Sequence, residues 1–115
     1  YRQKQFDVDE ARKRFRVHMQ ANLKIGKNIA DELGMPYAIT ETGMNPDTDS
    51  QWWTKGLMPA LEGYNPIFVN CWSNQWIEIP NSGACCTYPG EVSAKDFRKF
   101  YKKNKKMFIK KLKNL

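Results

Sequence analysis

Residues 36–43 read PYAITETG, a short apolar run that ends in a carboxylate, a threonine and a glycine. A run of this length between Pro36 and Gly43 is typical of a parallel strand that is covered on both faces. Reactive groups in such sheets lie at the carboxyl ends of the strands. Glu41 is therefore predicted to lie at the rim of a parallel sheet, although its position alone fits a structural carboxylate as well as a catalytic one.

A long amphipathic helix is predicted before this strand, over residues 9–33. The side chains of its predicted buried stripe recur at steps of three and four residues. They are Phe15, Met19, Asn22, Gly26, Ile29 and Leu33. Gly34 is expected to end the helix, and the short link to the strand is usual in α/β proteins.

A second helix is predicted after the strand, over residues 51–62, with Asp49 or Ser50 as its cap. Trp52 and Trp53 are adjacent on this helix. Because neighbouring residues of a helix do not share a face, we expect one tryptophan in the core and the other partly exposed.

Residues 67–72, IFVNCW, read as a second nearly continuous apolar strand that ends in Trp72. Asn74 and Trp76 follow closely, in an irregular loop over residues 73–90, and loops of this length are usually functional. Trp72 could be a core residue or a flat apolar wall for a sugar ring. Trp76 is the more suggestive of ligand binding, with Asn74 able to donate to sugar hydroxyls.

The end of the chain is strongly basic. The net charge is +7, and about half of the 19 Lys and Arg residues lie in residues 95–113. A capping signature at Ser93 and Asp96 precedes aromatic and apolar side chains at helical spacing. These are Phe97, Phe100, Tyr101, Met107, Phe108 and Ile109. This pattern favours a helix with one face packed on the protein and the other in solvent. It is less typical of a surface that binds nucleic acid.

The composition narrows the classes of protein to which the chain could belong. With 115 residues and 41% apolar side chains the chain can bury a core, and no apolar run is long enough to span a membrane. Cys71, Cys85 and Cys86 lack the spacing of a zinc site, so no metal is expected. One of the adjacent pair could bridge to Cys71, and buried free thiols are the alternative.

The order helix, strand, helix, strand, helix predicts an incomplete sheet. Two parallel strands with apolar faces do not form a self-sufficient domain. The sequence also starts without a leader or an initiating methionine. We therefore expect residues 1–115 to be a piece of a larger protein.

The ordered motifs together resemble the C-terminal part of glycoside hydrolase family 26, whose members are chiefly endo-β-1,4-mannanases. The motifs that carry the resemblance are ITETG at residues 39–43, WWT at 52–54, WSN at 72–74, YPG at 88–90 and DF at 96–97. The resemblance implies an α/β fold, namely a (β/α)8 TIM barrel of which this chain supplies the last two strands and their flanking helices.

The resemblance also implies a mechanism and a set of site residues. Glu41 corresponds to the catalytic nucleophile of a retaining mannanase, and the acid/base glutamate would lie upstream, outside this chain. Trp72 and Asn74 correspond to substrate-binding residues, and Tyr1 to a tyrosine that contacts the nucleophile. The family requires no cofactor, and it implies a mannan substrate and a secreted or cell-surface location. Ser73 departs from the arginine that many members have there, and the Cys85-Cys86 pair is not part of the family pattern.

A second class of function remains open from the residues themselves. A non-catalytic carbohydrate-binding module could use Trp72 and Trp76 on an α/β scaffold without any turnover. Replacing Glu41 would separate the two, because only an enzyme has turnover to lose.

Overall fold

The computed structural model describes residues 6–43, 49–72, 85 and 87–108. Helices and strands alternate in the predicted order. They are helix α1 (Val8–Leu33), strand β1 (Ile39–Thr42), a π-helical turn (Trp52–Leu57) that runs into helix α2 (Met58–Leu61), strand β2 (Val69–Cys71), helix α3 (Ala94–Lys103) and a 3-10 turn (Lys105–Met107). The α/β class is thus present as a small, helix-rich unit with two parallel strands. Within the described ranges, no helix has the length and apolar character that a membrane crossing needs.

Helix α1 begins and ends where its capping residues predict. The Asp7 carboxylate accepts from the backbone N–H groups of Asp9 and Glu10, at 3.0 and 3.1 Å. Gly34 ends the helix in the left-handed conformation, with φ at 65°. A side chain is strained in that conformation, which is why a glycine terminates the helix.

The buried stripe of α1 differs from the predicted one in its second half. Phe15 and Met19 pack against the core as expected, but the buried positions further along are Leu23 and Ala30. Ile29 and Leu33 are exposed instead. Ile29 lies about 100° around the helix from Ala30, so it points away from the elements that cover the buried stripe.

Strands β1 and β2 form a parallel pair. The second strand is shorter than predicted, although hydrogen bonds continue the pairing beyond it at both ends. Ile67 N donates to Tyr37 O and Trp72 N to Thr42 O, each at 2.8 Å. Only one face of the pair is covered by the described residues, because Thr40, Glu41 and Asn70 are exposed. The described residues supply helices on one side only, so the expectation of a strand covered on both faces stays a prediction for the larger protein.

Trp52 and Trp53 are both buried, at 3% and 6% exposure, so the expectation that one is partly exposed is wrong. The reason is that the π-helical turn is packed on two sides. Trp52 lies edge-on against Phe15 of α1, and Trp53 lies edge-on against Phe97 of α3, with ring centroids 5.6 and 4.8 Å apart. The two indoles can point in different directions and still both lie in the core.

Gly56 explains how Trp52 fits so closely against its own turn. A Cβ atom at this position would approach Cδ1 of Trp52 to 2.8 Å, which is closer than packed atoms allow. The prediction that Asp49 or Ser50 caps this segment is wrong, because Gln51 is the residue at its start and no side chain caps it. One Asp49 oxygen accepts from Gln51 N at 2.9 Å, two residues ahead, in the manner of an Asx turn.

Helix α3 docks as the basic segment predicts, with Phe100 buried and Lys95, Arg98 and Lys99 exposed. The helix ends at Lys103, however, and Phe108 folds back onto the rings of Phe97, Phe100 and Tyr101. The predicted single helix through Met107 is therefore wrong in its last part, and Ile109 lies outside the described residues. The Asn104 side chain marks the break, since it donates to Phe100 O at 2.9 Å.

The predicted capping roles of Ser93 and Asp96 are also wrong. Ser93 makes no side-chain cap at the start of α3. Asp96 instead accepts from the backbone N–H and the hydroxyl of Thr54, at 2.9 and 2.6 Å. This buried carboxylate joins α3 to the π-helical turn, so its polar atoms are satisfied by a neighbouring element rather than by its own helix.

Candidate functional site

Glu41 and Trp72 both lie at the carboxyl edge of the sheet. Glu41 is the third residue of β1, and Trp72 directly follows β2. The strands are parallel and paired with Thr42 opposite Cys71. The Trp72 N–H donates to the carbonyl of Thr42, which follows Glu41. The sheet therefore holds the two predicted site residues at one rim.

A β-bulge directs Glu41 away from the core. Ile39 pairs with Val69 and Thr42 pairs with Cys71, so β1 has one residue more than β2 between the two pairs. Strict alternation would place Glu41 on the face of Ile39, which is buried against the helices. The extra residue breaks the alternation, and Thr40 and Glu41 are both exposed. Bulges are frequent beside active sites because they redirect side chains in this way.

Asn70 lies opposite the bulge and is a site residue that the sequence reasoning missed. Its Nδ2 donates to the carbonyl of Thr40 at 3.3 Å, directly before Glu41. The sequence carried one signal for the bulge, namely two polar residues in succession, Thr40 and Glu41, after Ile39. No comparable signal marked Asn70, since an asparagine in a short strand has many uses.

Trp72 is 54% exposed, so in the described part of the chain it is a rim residue and not a core residue. A disulfide joins the preceding residue, Cys71, to Cys85, with the Cα atoms 6.2 Å apart. Of the two possibilities that the sequence left open for Cys71, the structure has the bridge. Cys85 is thus joined to the sheet at the residue before Trp72.

An ion pair joins Asp49 to helix α1. Arg12 of α1 donates to both oxygens of Asp49, from Nε at 2.7 Å and from Nη2 at 2.6 Å. Asp49 is buried and Arg12 is half-buried. The hydrogen bond with Asp49 raises the pKa of Arg12, which keeps the guanidinium protonated. With both of its oxygens engaged, Asp49 is a structural carboxylate.

Several predicted residues lie outside the described ranges. They are Tyr1, Ser73, Asn74, Trp76 and Cys86. Of the YPG motif, Tyr88 is exposed, and its backbone N–H donates to the Glu91 carboxylate at 2.9 Å. Among the residues that the structure describes, no group of three or more His, Cys, Asp or Glu side chains could hold a metal ion.

The arrangement can support nucleophilic chemistry on a bound sugar. A carboxylate on a hydrogen-bonded strand is held more precisely than one on a free loop, as covalent catalysis requires. An exposed indole beside it offers an apolar face to a pyranose ring. A retaining glycosidase also needs a second carboxylate, roughly 5 Å from the first.

Comparison with known proteins gives one structural relative. The chain superimposes on a GH26 β-mannanase from Bacteroides ovatus with a TM-score of 0.60 and 29% sequence identity. The match covers 96% of this chain and 33% of the mannanase, so the chain spans about a third of that enzyme's length. No family model matches the chain, and no curated protein sequence matches it. The similarity supports a GH26-like fold, and it indicates a glycoside hydrolase origin.

Proposed function

We propose that the chain is the C-terminal part of a retaining glycoside hydrolase that cleaves β-1,4-mannosidic bonds in mannan polysaccharides. The observation that carries the proposal is that Glu41 and Trp72 both lie at the carboxyl edge of two parallel strands, in a chain similar along 96% of its length to a β-mannanase. Residues 1–115 would belong to one catalytic (β/α)8 barrel and supply its last two strands. The rest of the barrel is the partner that covers the open face of the sheet.

In this mechanism Glu41 attacks the anomeric carbon and forms a glycosyl-enzyme intermediate. A glutamate from the upstream part of the barrel protonates the leaving oxygen, and it then activates the water that releases the sugar. The role of Glu41 requires it to be ionised and aimed at the substrate, and the bulge at Thr40 and Glu41 supports the second condition. No metal or organic cofactor takes part.

Trp72 would hold the sugar ring that is attacked. Asn74 and Tyr1 complete the proposed substrate site on the strength of the family resemblance, and Trp76 as an aromatic residue that follows Trp72 closely in the sequence. We propose a secreted or cell-surface location, which the Cys71–Cys85 disulfide supports because such bonds persist in oxidising compartments. Mannan or its oligosaccharides would be the ligand, and neither a nucleic acid nor a membrane is expected as a partner.

The reaction itself provides the first test. The full protein that carries this chain should release reducing sugar from β-mannan, and the first product should retain the β-configuration when it is followed by proton NMR. Residues 1–115 alone should release none, because the acid/base carboxylate is supplied by another part of the barrel. Inversion of the anomeric configuration, or turnover by the purified 115-residue segment, would contradict the proposal.

Replacing Trp72 tests the sugar-binding role separately. In a Glu41→Gln background, which prevents turnover of the ligand, Trp72→Ala should weaken binding of mannooligosaccharides roughly fivefold, since ring stacking contributes about 1 kcal/mol. Calorimetric titration measures the change. Tyr101→Ala is the control, because Tyr101 is an exposed aromatic residue on α3 and packs against Phe108. Equal losses in both variants would argue against a specific role for Trp72.

The second candidate is a carbohydrate-binding module, and the exposed indole of Trp72 is the observation that favours it. A module of this kind would bind mannooligosaccharides as the enzyme does. It would show no hydrolysis in the full protein, and Glu41→Gln would change nothing that can be measured as turnover.

A further inference from the structure

The Cys71–Cys85 disulfide lies directly before Trp72, a residue of the proposed site. Cys71 is the last residue of β2, and the next residue is Trp72. Among the described residues β2 pairs with β1 alone, and it is only three residues long. The end of so short a strand opens readily, because few hydrogen bonds must break to release it. The bridge provides a second attachment at the position where fraying would move Trp72.

The other end of the bridge is fixed in the core. Cys85 is 4% exposed, and its carbonyl accepts from the Ser93 hydroxyl at 2.6 Å. Ser93 is fully buried, and its Oγ also accepts from Nε1 of Trp53 at 3.3 Å. Trp53 in turn packs against Phe97 and Phe100 of α3. Cys85 is thus held by Ser93, the residue that precedes α3, and Ser93 is held in turn by Trp53 of the π-helical turn.

These contacts form a continuous path from the aromatic core to the rim. The path runs from Trp53 through Ser93 and Cys85 to Cys71, and Trp72 is the next residue. The backbone of Trp72 has its own hydrogen bond, to Thr42 beside Glu41. A displacement of Cys71 would therefore change the position of the indole and its distance from the carboxylate together.

We propose that the Cys71–Cys85 disulfide and the Ser93 hydroxyl are positioning groups that hold Trp72 against the sugar bound beside Glu41. The inference rests on the proposed function, because it assigns Trp72 a sugar ligand. It goes beyond that function by giving the bridge a role in substrate affinity, in addition to any contribution to global stability. Neither cysteine touches the sugar, so both act through Trp72.

The test compares the full protein with its Cys71→Ala/Cys85→Ala variant. The first measurement is hydrogen exchange of the Trp72 amide, which donates to Thr42 O and does not depend on catalysis. Its protection should fall about tenfold, while that of the core amides of Leu57 and Phe100 stays within about twofold. The second measurement is the KM for mannooligosaccharides, which should rise roughly 3- to 10-fold with kcat within about twofold, as expected when uniform binding is lost.

Two controls separate positioning from general destabilisation. Cys86→Ala leaves the Cys71–Cys85 bridge intact and should change neither measurement. Reduction of the wild-type protein, with the released thiols counted, supplies the same comparison if the double variant does not fold. Ser93→Ala should also lower the protection of the Trp72 amide, but by a smaller factor than the double cysteine variant, because the bridge remains.

The outcomes distinguish the two proposals. Unchanged protection of the Trp72 amide, or an equal fall at Leu57 and Phe100, would overturn the positioning role even in an active mannanase. A local fall at Trp72 in a protein that neither hydrolyses nor binds mannan would overturn the proposed function, and with it the effect on affinity. A local fall together with a raised KM would support both.

Discussion

Glu41→Gln should abolish hydrolysis of mannan by the full protein, with kcat reduced on the order of 10³-fold or more. Glutamine keeps the size and most of the hydrogen bonding of the side chain, but its amide oxygen does not form a stable glycosyl ester. The fold should be unaffected, because Glu41 is exposed at the end of β1. Initial rates on a soluble mannan or on a mannooligosaccharide give the ratio, and affinity for the oligosaccharide should persist.

Glu62→Gln is the matched control for this substitution. Glu62 is also an exposed glutamate, but it lies at the end of α2 and not at the sheet rim. Its replacement should leave kcat within about twofold, as is usual for surface positions. A residual rate above a tenth of wild type in Glu41→Gln would contradict the nucleophile role.

Chemical rescue would exclude a merely structural role for Glu41. Glu41→Ala opens a space beside the anomeric carbon. A small anion such as azide can enter this space and attack the anomeric carbon from the side that the Glu41 carboxylate occupied. The acid/base glutamate still assists departure of the leaving group, so the product should be a mannosyl azide of inverted configuration. A carboxylate that only supports the fold cannot be replaced in this way, and failure of the rescue in a folded variant would count against direct attack.

The sequence was sufficient to predict the elements and their order because each has a strong local signal. Helix α1 was predicted from its apolar spacing and from Gly34 as its end, whereas its N-terminal cap, Asp7, was not predicted. The strand before Glu41 is bounded by a proline and a glycine, and its apolar residues precede its polar ones. A carboxylate at the end of such a run lies at a sheet rim for reasons of geometry alone, so the position of Glu41 could be predicted without any tertiary information.

The tertiary details could not be predicted, because each depends on an element that is distant in the sequence. Trp52 and Trp53 are both buried since helices cover the π-helical turn on two sides, and local periodicity does not report how many neighbours a helix has. Asp96 has the spacing of a capping residue but bonds to Thr54. Ser93 likewise bonds to Cys85 and Trp53, so its hydroxyl is already occupied where a cap was predicted.

The β-bulge shows why the candidate site was predicted in outline and not in geometry. A slip of one residue in a strand exchanges its two faces, so the direction of Glu41 depends on the register with β2. That register is set by β1 and β2 together and not by the sequence of β1 alone. The sequence could therefore predict which residue reaches the rim, whereas the side to which it points became clear only from the pairing of Ile39 with Val69 and Thr42 with Cys71.

Arg12→Met should lower the free energy of unfolding of the full protein by about 3 kcal/mol, the largest stability change that we expect from a single surface-proximal residue. The substitution removes the two guanidinium donors from the buried Asp49 carboxylate and leaves it the N–H of Gln51. Methionine fills a similar volume, so the loss is electrostatic and not a cavity. Urea unfolding followed by tryptophan fluorescence measures the change, since Trp52 packs on α1 next to this pair.

A second substitution tests whether the loss comes from the unpaired charge. Arg12→Met/Asp49→Leu replaces both partners by apolar side chains and should recover stability to within about 1 kcal/mol of wild type, because replacing a buried pair costs far less than breaking it. The remaining deficit reflects the bond that Asp49 accepts from Gln51 N. Arg14→Met is the control, since Arg14 and Glu10 form an exposed pair that should contribute less than about 0.5 kcal/mol. If the double variant were as unstable as Arg12→Met, the unpaired charge could not be the cause, and the role of the pair in joining Asp49 to α1 would have to be one of packing.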